Sequence, residues 1–227
     1  MTVSFPSMPA RTFLARLQEN ERTALEAAGR RRPFSAGQVL FSEGDDGRDV
    51  FIVLDGVVKL VTTAASGQQV ILDLESAGSL LGELSAIDGQ PRSATAEAVT
   101  PIDVLVVRFE AFRNFLESQP RAATELLGVV AARLRESSQR QLEFGSSDAL
   151  TRLCRFLLVM IDRFGNQDCD PSVHLPIAQH DLAKLTGLSR EAVVKGLRRL
   201  RDLGWVETSG RTFVIRDLQA VRDRAQT

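Results

Sequence analysis

The sequence predicts an α+β fold: an antiparallel, jelly-roll-like β-roll first, a long helix second and a winged helix-turn-helix last. Short β-rich runs separated by glycine and aspartate turns fill the first half of the chain. A helical pattern then continues without a break from Pro120 to about Phe144. The remaining residues show helical patterns followed by two short β-rich runs. We expect three parts, at residues 1–119, 120–148 and 149–227.

The composition is that of a protein with buried cores and no membrane span. The 227 residues are 44% hydrophobic and 25% charged, which suffices for two modest domains. No uninterrupted apolar run approaches the roughly 18 residues of a membrane span, and the N-terminus lacks signal-peptide order. Two cysteines, Cys154 and Cys169, are too few for a disulfide framework. Together these features predict a cytoplasmic protein.

Charge is distributed unevenly along the chain. Residues 1–148 contain 15 Lys/Arg and 20 Asp/Glu, whereas residues 149–227 contain 13 Lys/Arg and 9 Asp/Glu. A basic C-terminal part attracts polyanions that an acidic N-terminal part repels. Any contact with nucleic acid is therefore expected in the C-terminal part.

The first elements are an amphipathic helix from about Arg11 to Ala28 and a series of short strands. The stretch VLFSEGDDGRDVFIVLDGVVKLVTTAASGQQVILDLESAGSLLGEL contains short β-rich runs at regular spacing. Glycines separate these runs at Gly44, Gly47, Gly56, Gly67 and Gly78. Such spacing is typical of an antiparallel barrel or roll rather than a parallel sheet. The run PIDVLVVRFEAF is expected to supply the last strand.

The long helix carries a stripe with the alternating three-four spacing of a coiled coil. The stripe starts apolar, becomes polar, and consists of Leu127, Val130, Leu134, Ser137, Gln141 and Phe144. An ordinary stripe that faces the core of its own chain has the same spacing. A helix this long extends beyond what a small roll can cover, so we expect a parallel homodimer.

The segment GSSDAL interrupts the helical pattern with small and polar residues, which predicts a hinge. Asp148 is placed to cap the amphipathic helix that follows. Near the C-terminus, WVETSGRTFVI forms two β-rich runs around a Ser-Gly turn. Three helices followed by such a hairpin predict a winged helix-turn-helix.

The segment HDLAKLTGLSREAVVKGLRRLRDLGW has the pattern of the helix-turn-helix itself. A first helix is expected to end near Thr186, Gly187 supplies the turn, and Ser189 caps a second helix. The start of such a second helix points into the major groove of DNA. There Arg190 can contact guanine and Glu191 can accept a hydrogen bond from cytosine.

Further basic residues follow on the second helix. Lys195 stands five positions beyond Arg190, and we expect the two to lie close to one face. Arginines beyond it are candidates for phosphate contacts, which add affinity without sequence choice: Arg198, Arg199 and Arg201. The alternative is that these charged residues form only a solvated helix surface. The predicted cap, turn and wing all favour binding to double-stranded DNA instead. The candidate DNA contacts are Ser189, Arg190, Glu191, Lys195 and Arg199.

On these residues the chain resembles the cyclic-AMP receptor protein type of regulators in the Crp/Fnr superfamily. LSREAVVKGLRRL is similar to the family's recognition helix, and the resemblance covers the roll, long helix, hinge and winged domain. Lys195 stands where the best-known members have arginine, so preference at that base pair is expected to be looser. Gly196 replaces a larger aliphatic residue, for which the sequence offers no physical account. The resemblance implies palindromic promoter DNA and RNA polymerase as partners, the latter through the NQDCDPSVHL loop, which is equally well a linker.

The segment GELSAIDGQPRSA places Glu83 and Arg92 on either side of a Gly-Gln-Pro turn. The two can simply pair with each other at the end of a hairpin, which is the default for an isolated Glu and Arg. The resemblance implies another role, because the segment is similar to the phosphate-binding cassette of cyclic-nucleotide domains. Its candidate nucleotide-binding residues are Gly82, Glu83, Leu84, Arg92 and Ser93.

Each residue type in this cassette suits the chemistry of a cyclic nucleotide. Arg92 offers a fixed charge and several donors to the cyclic phosphate, and Ser93 adds a hydroxyl. Glu83 can accept a hydrogen bond from the ribose 2′-hydroxyl. Gly82 lets the backbone approach the ligand closely. Backbone N–H groups of the intervening turn can complete an anion nest.

The resemblance also places Arg133, Ser137 and Ser138 beside the nucleotide, with the two hydroxyls reaching the adenine from the two subunits. Known members carry Thr-Ser where this chain has Ser-Ser, which removes a methyl contact worth about 1 kcal/mol or less. Cyclic AMP is therefore the expected allosteric ligand, and no metal is expected. Its binding is expected to extend the helical seam and rotate the winged domains about GSSDAL.

Three other functions compete with this one. Iron-sulfur sensors of this architecture need four cysteine ligands, and a haem sensor is disfavoured because His174 and His180 lie in the DNA-binding half. An enzyme is not expected, because a metal phosphodiesterase needs more His and Asp ligands than this chain offers around His180. A regulator that takes cyclic GMP or cyclic di-GMP, or binds DNA without a ligand, stays open.

Overall fold

The computed structural model describes residues 11–64, 67, 69–146, 148–164, 172–174, 179–209 and 212–226. The chain divides into two compact units, Met1–Arg135 and Glu136–Thr227. In the described ranges no helix is both long and apolar enough to cross a membrane.

The first unit contains an antiparallel β-roll, as the spacing of the β-rich runs predicts. One sheet has the strand order β1-β8-β3-β6 and the other β2-β7-β4-β5. The strands are β1 (Gly29–Phe34), β2 (Val39–Phe41), β3 (Val50–Asp55), β4 (Val58–Thr63), β5 (Gln69–Glu75), β6 (Leu80–Leu81), β7 (Thr95–Ala98) and β8 (Ile102–Val107).

Strand β3 shows how the roll is built, because alternate residues serve two different cores. Val50 and Ile52 join a cluster formed with the helices of this unit. Phe51 and Val53 join a second cluster formed with β4, β7 and β8. A strand buried on both faces reads as a continuous apolar run, which is how VFIVL stands in the sequence.

Helices cover the outer face of this strand. They are α1 (Phe13–Arg16), α2 (Glu19–Ala28), α3 (Glu83–Asp88), α4 (Phe109–Ser118) and the long α5 (Pro120–Ser146). The prediction of one helix from Arg11 to Ala28 is wrong, because the backbone is extended at Leu17 and Gln18. The Gln18 N–H donates to the Glu21 carboxylate at 2.7 Å, which starts α2 as a separate helix.

Two further elements of this unit have no strong sequence signal. Strand β1 contains three consecutive exposed arginines and no apolar alternation, and it becomes a strand by pairing with β8 along the sheet edge. Helix α4 begins at Phe109, so the FEAF end of the run expected to form the last strand is helical.

The second unit is a winged helix-turn-helix, which confirms the predicted fold. After the end of α5 it contains α6 (Ala149–Phe164), α7 (Gln179–Thr186), α8 (Arg190–Asp202) and α9 (Leu218–Gln226). Its sheet has the order β10-β11-β9 and is formed by β9 (Ser172–His174), β10 (Val206–Ser209) and β11 (Thr212–Ile215). Strand β9 and helix α9 were not foreseen, since β9 lies in the stretch expected to be a loop.

The break between α5 and α6 is shorter than GSSDAL suggests, because α5 continues to Ser146. Asp148 caps α6 as predicted, accepting a hydrogen bond from the Thr151 N–H at 2.9 Å. That hydrogen bond and the ion pair with Arg224 of α9 lower the pKa of Asp148. Asp148 is thus tied to the C-terminal helix of its own unit.

Gly196 has a packing role on α8 that sequence reasoning did not find. A Cβ at this position would lie 2.3 Å from Cδ1 of Leu153 on α6. Both residues are buried. The glycine therefore lets α8 and α6 approach more closely than any larger residue would allow.

Candidate functional site

The segment GELSAIDGQPRSA forms a short helix followed by a loop, rather than the hairpin end that sequence reasoning considered. Gly82 is left-handed at φ 78° and precedes α3. Gly89, also left-handed at φ 71°, ends α3. The chain then returns through Arg92 toward β7. Ser93 and Leu84 are exposed on this segment.

Arg92 is buried against the roll with 4% of its surface exposed. Its Nη1 donates to the Gly82 carbonyl at 2.8 Å, and its Nη2 donates to the Asp49 carbonyl at 2.6 Å. The guanidinium lies 4.5 Å from the ring centroid of Phe41. Its Nε has no hydrogen-bond partner among the residues that the structure describes. Burial lowers the pKa of Arg92, although Asp49 and other nearby carboxylates oppose this.

Gly82 is required by the position of this guanidinium. A Cβ on Gly82 would lie 2.3 Å from Nη1 of Arg92. Sequence reasoning assigned the glycine to close approach of a ligand. The structure gives it a role in the protein itself, which is to leave room for Arg92.

Glu83 is the second buried charge of the segment, with 4% of its surface exposed. Its Oε1 accepts a hydrogen bond from Nη1 of Arg133 at 2.6 Å. Among the described residues Arg92 makes no ion pair, so the simple pairing of Glu83 with Arg92 is wrong. Each of these two residues has a different partner.

Arg133 of α5 lies between two carboxylates of the roll. Besides Glu83, it contacts Oε1 of Glu75 at 2.9 Å, and its Nη2 donates to the Leu80 carbonyl at 2.9 Å. The other oxygen of Glu75 accepts from the Ser79 hydroxyl at 2.7 Å. Burial opposes the charge, but the two carboxylates outweigh it and raise the pKa of Arg133. Sequence reasoning missed Glu75, whose one signal is a carboxylate at the end of an apolar strand.

The predicted helical stripe is divided between two surroundings. Leu127 and Leu134 are 66% and 67% exposed. Val130 instead packs on the core of the roll and does not belong to the exposed stripe. Ser137 and Ser138 are exposed further along α5. The side chains of the last two stripe residues, Gln141 and Phe144, lie outside the described residues.

The helix-turn-helix has the geometry that the sequence predicts. Gly187 is left-handed at φ 63° between α7 and α8. The Ser189 hydroxyl accepts from the Ala192 N–H at 3.1 Å, so this serine caps α8. Residues buried on α8 are Val193, Gly196, Leu197 and Leu200.

The opposite side of α8 is exposed and charged. At 3.6 residues per turn, Arg190 and Lys195 lie about 140° apart, so the expectation that they share a face is wrong. Glu191 and Lys195, one turn apart, do share one. The other exposed basic residues include Arg198 and Arg199. Arg201 donates to the Thr208 hydroxyl at 2.8 Å and so ties α8 to strand β10 of the wing.

The remaining candidate groups are either buried or lie outside the residues that the structure describes. Cys154 is buried, and burial raises the pKa of its thiol to about 11. Cys169 and the side chains of His174 and His180 lie outside the described residues. Within the described part of the chain, no three His, Cys, Asp or Glu side chains come together as a metal site.

Comparison with known proteins gives a consistent result for both units. A cyclic nucleotide-binding domain model matches residues 31–119, and a Crp-like helix-turn-helix domain model matches residues 151–224. A "CRP-like cAMP-activated global transcriptional regulator" of Mycobacterium tuberculosis is 30% identical over 194 residues, covering 85% of this chain and 87% of that protein.

Two further proteins extend the comparison. A "Cyclic AMP receptor protein" of Thermus thermophilus is 31% identical over 195 residues, covering 86% of this chain and 88% of that protein. The structure of FixK2 from Bradyrhizobium japonicum superposes with a TM-score of 0.78 at 23% identity, covering 86% of this chain and 96% of that one. The last of these supports the fold alone.

Proposed function

Because the chain belongs to the Crp/Fnr superfamily of DNA-binding transcription regulators, we propose that cyclic AMP switches its binding to promoter DNA. The members it resembles are regulators rather than enzymes, and its first half is a cyclic nucleotide-binding domain. The ligand contacts both the roll and helix α5. The protein acts as a homodimer in the cytoplasm. The winged domains of that dimer read the two halves of a palindromic site.

The buried charge of Arg92 is the observation that carries the proposal. Two backbone carbonyls and an aromatic face hold the guanidinium without neutralising it. A buried cation without an ion pair is costly, and a bound anion offsets that cost. A cyclic phosphate supplies one negative charge and oxygens that accept from the guanidinium. The Ser93 hydroxyl, exposed on the same loop, adds a donor.

Glu83 gives the ribose its partner. One of its oxygens is occupied by Arg133, which leaves the other to accept from the 2′-hydroxyl. Because Arg133 belongs to α5, this arrangement connects the nucleotide site to the long helix within the first unit. The contact requires a ribose rather than a deoxyribose.

The base is assigned to Ser137 and Ser138, whose hydroxyls are exposed on α5. A hydroxyl can accept from the 6-amino group of adenine. Two relatives, a cAMP-activated regulator and a cyclic AMP receptor protein, support the same base. Cyclic GMP, cyclic di-GMP or constitutive DNA binding are the alternatives that the test below separates.

The dimer forms along α5. Leu127 and Leu134 are seven residues apart, so they lie on one side of the helix, and both are largely exposed. A second parallel copy of α5 buries both pairs of leucines in one seam. Ser137 and Ser138 continue from this seam, which brings the hydroxyls of both subunits toward the nucleotides.

Switching follows from unequal affinity for two arrangements of the dimer. The nucleotide holds Glu83, Arg133 and the serines of α5 together, extends the seam, and rotates the winged domains about the break before Asp148. A ligand that prefers the active arrangement by about 100-fold supplies about 2.7 kcal/mol per site. RNA polymerase is the proposed partner on the promoter.

Parallel isothermal titrations of the full-length protein with cyclic AMP, cyclic GMP and cyclic di-GMP test the ligand. We expect one cyclic AMP per protomer and at least tenfold weaker binding of the other two. Preferential binding of cyclic GMP or cyclic di-GMP would mean that this nucleotide, rather than cyclic AMP, is the ligand. Binding of none of the three nucleotides would contradict the proposal. Light scattering of the same samples should give the mass of a dimer.

A further inference from the structure

Val194 is an exposed apolar residue in the charged face of α8. It is 54% exposed, while the valine before it is buried in the core of the unit. Along the helix three of its neighbours one turn away are exposed and charged, Arg190, Glu191 and Arg198, while the fourth, Leu197, is buried. Val194 therefore lies at the edge of the charged face of α8, next to the buried face.

Folding alone gives no reason for a valine at this position. An exposed β-branched side chain is a poorer helix former than alanine, and its methyl groups gain nothing in water. The residue does not contribute to the contact between α8 and α6, which uses Gly196 and Leu153 on the other side. These methyl groups gain free energy only where a partner surface covers them.

The major groove offers one apolar feature at the base edges, the 5-methyl group of thymine. A side chain that reads thymine by this group must be small, apolar and flanked by groups that bind bases or phosphates. Val194, flanked by two arginines and a glutamate on the second helix of the helix-turn-helix, fits that description.

We propose that Val194 is a specificity-determining residue that packs on a thymine methyl group in each half-site. The proposal rests on DNA binding by α8 and is independent of which nucleotide the roll takes. It adds an apolar base contact to the polar contacts expected of Arg190, Glu191 and Lys195. Operators of this protein should carry a thymine at the corresponding position of both half-sites.

The test removes single methyl groups from the DNA. An operator is selected from a random duplex library with the full-length protein, and deoxyuridine then replaces each thymine in turn. At one thymine per half-site we expect about fourfold weaker binding, the worth of one buried methyl group, and no such loss elsewhere. Replacing both symmetric thymines should give about 16-fold, because independent contributions multiply.

Variants show whether Val194 causes this discrimination. Val194→Ala should bind the thymine and uracil operators equally, whereas Val194→Thr, which keeps one methyl group, should retain part of the difference. Val159→Ala is the matched control, since Val159 is 43% exposed on α6, outside the recognition helix. It should discriminate like the wild type.

Two results overturn the proposal. One is wild-type binding that is unchanged by uracil at every position. The other is Val194→Ala discrimination equal to that of the wild type. Melting curves of the variants exclude misfolding as the cause, and no loss of thermal stability is expected because alanine is the better helix former.

Discussion

Arg92 and Arg133 are two guanidiniums of the same roll, and their charges are balanced in opposite ways. Arg133 lies between the carboxylates of Glu83 and Glu75, which neutralise it within the protein. Arg92, with 4% of its surface exposed, donates to backbone carbonyls instead. We propose that Arg133 holds the two carboxylates in place, whereas the charge of Arg92 is available to an anionic ligand.

The same difference explains why the pKa values of the two arginines shift in opposite directions, although burial lowers both. At Arg133 the nearby carboxylates outweigh the effect of burial, so the pKa is raised. At Arg92 the effect of burial is the larger one, so the pKa is lowered. Removing Arg133 should therefore damage the fold, and removing Arg92 should damage ligand binding.

Arg133→Met should destabilise the protein by about 3–5 kcal/mol, because it leaves two buried carboxylates without a counter-charge. Urea unfolding followed by circular dichroism measures this. Arg113→Met is the matched control: Arg113 also contacts two carboxylates, at 3.4 Å each, but all three side chains are exposed. It should cost less than about 1 kcal/mol. Equal losses in the two variants would show that the pairing of Arg133 has no special weight.

Arg92→Gln should weaken cyclic AMP binding about 100-fold or more while changing stability by less than about 1 kcal/mol. The amide keeps one donor for a carbonyl, but the charge is lost. Arg48→Gln is the control, because Arg48 is an exposed arginine that also lies over a phenylalanine ring, at 5.5 Å from its centroid. Unchanged affinity of Arg92→Gln for cyclic AMP would contradict a role of the Arg92 charge in ligand binding.

Glu83→Gln should weaken cyclic AMP binding about tenfold, and binding of 2′-deoxy cyclic AMP far less. The reason is that the charged acceptor of the 2′-hydroxyl is lost, while Glu75 still pairs with Arg133. Titration of both nucleotides against both proteins gives the coupling between carboxylate and hydroxyl. An equal loss for the two nucleotides would mean that Glu83 acts only through the fold.

Local patterns in the sequence were sufficient for the architecture. The strand spacing, the uninterrupted helical pattern of α5, and the cap and turn at Ser189 and Gly187 are each determined by nearby residues. The same was true of the Asp148 cap. Short elements without apolar alternation, such as β1 and β9, become strands only because a neighbouring strand pairs with them.

The candidate site was predicted in its residues but not in its contacts. Glu83, Arg92 and Arg133 were all identified, yet which charge pairs with which depends on long-range packing. Glu75 joined the site because β5 ends where α5 passes the roll. Gly196 likewise had no explanation until the distance to Leu153 on another helix was known.

The most direct test of the account is the affinity of the full-length protein for its selected operator, measured with and without saturating cyclic AMP. The wild type should bind about 100-fold more tightly with the nucleotide, and Arg92→Gln should bind equally weakly in both conditions. Equal operator affinity of the wild type with and without cyclic AMP would contradict a switch that depends on the charge of Arg92.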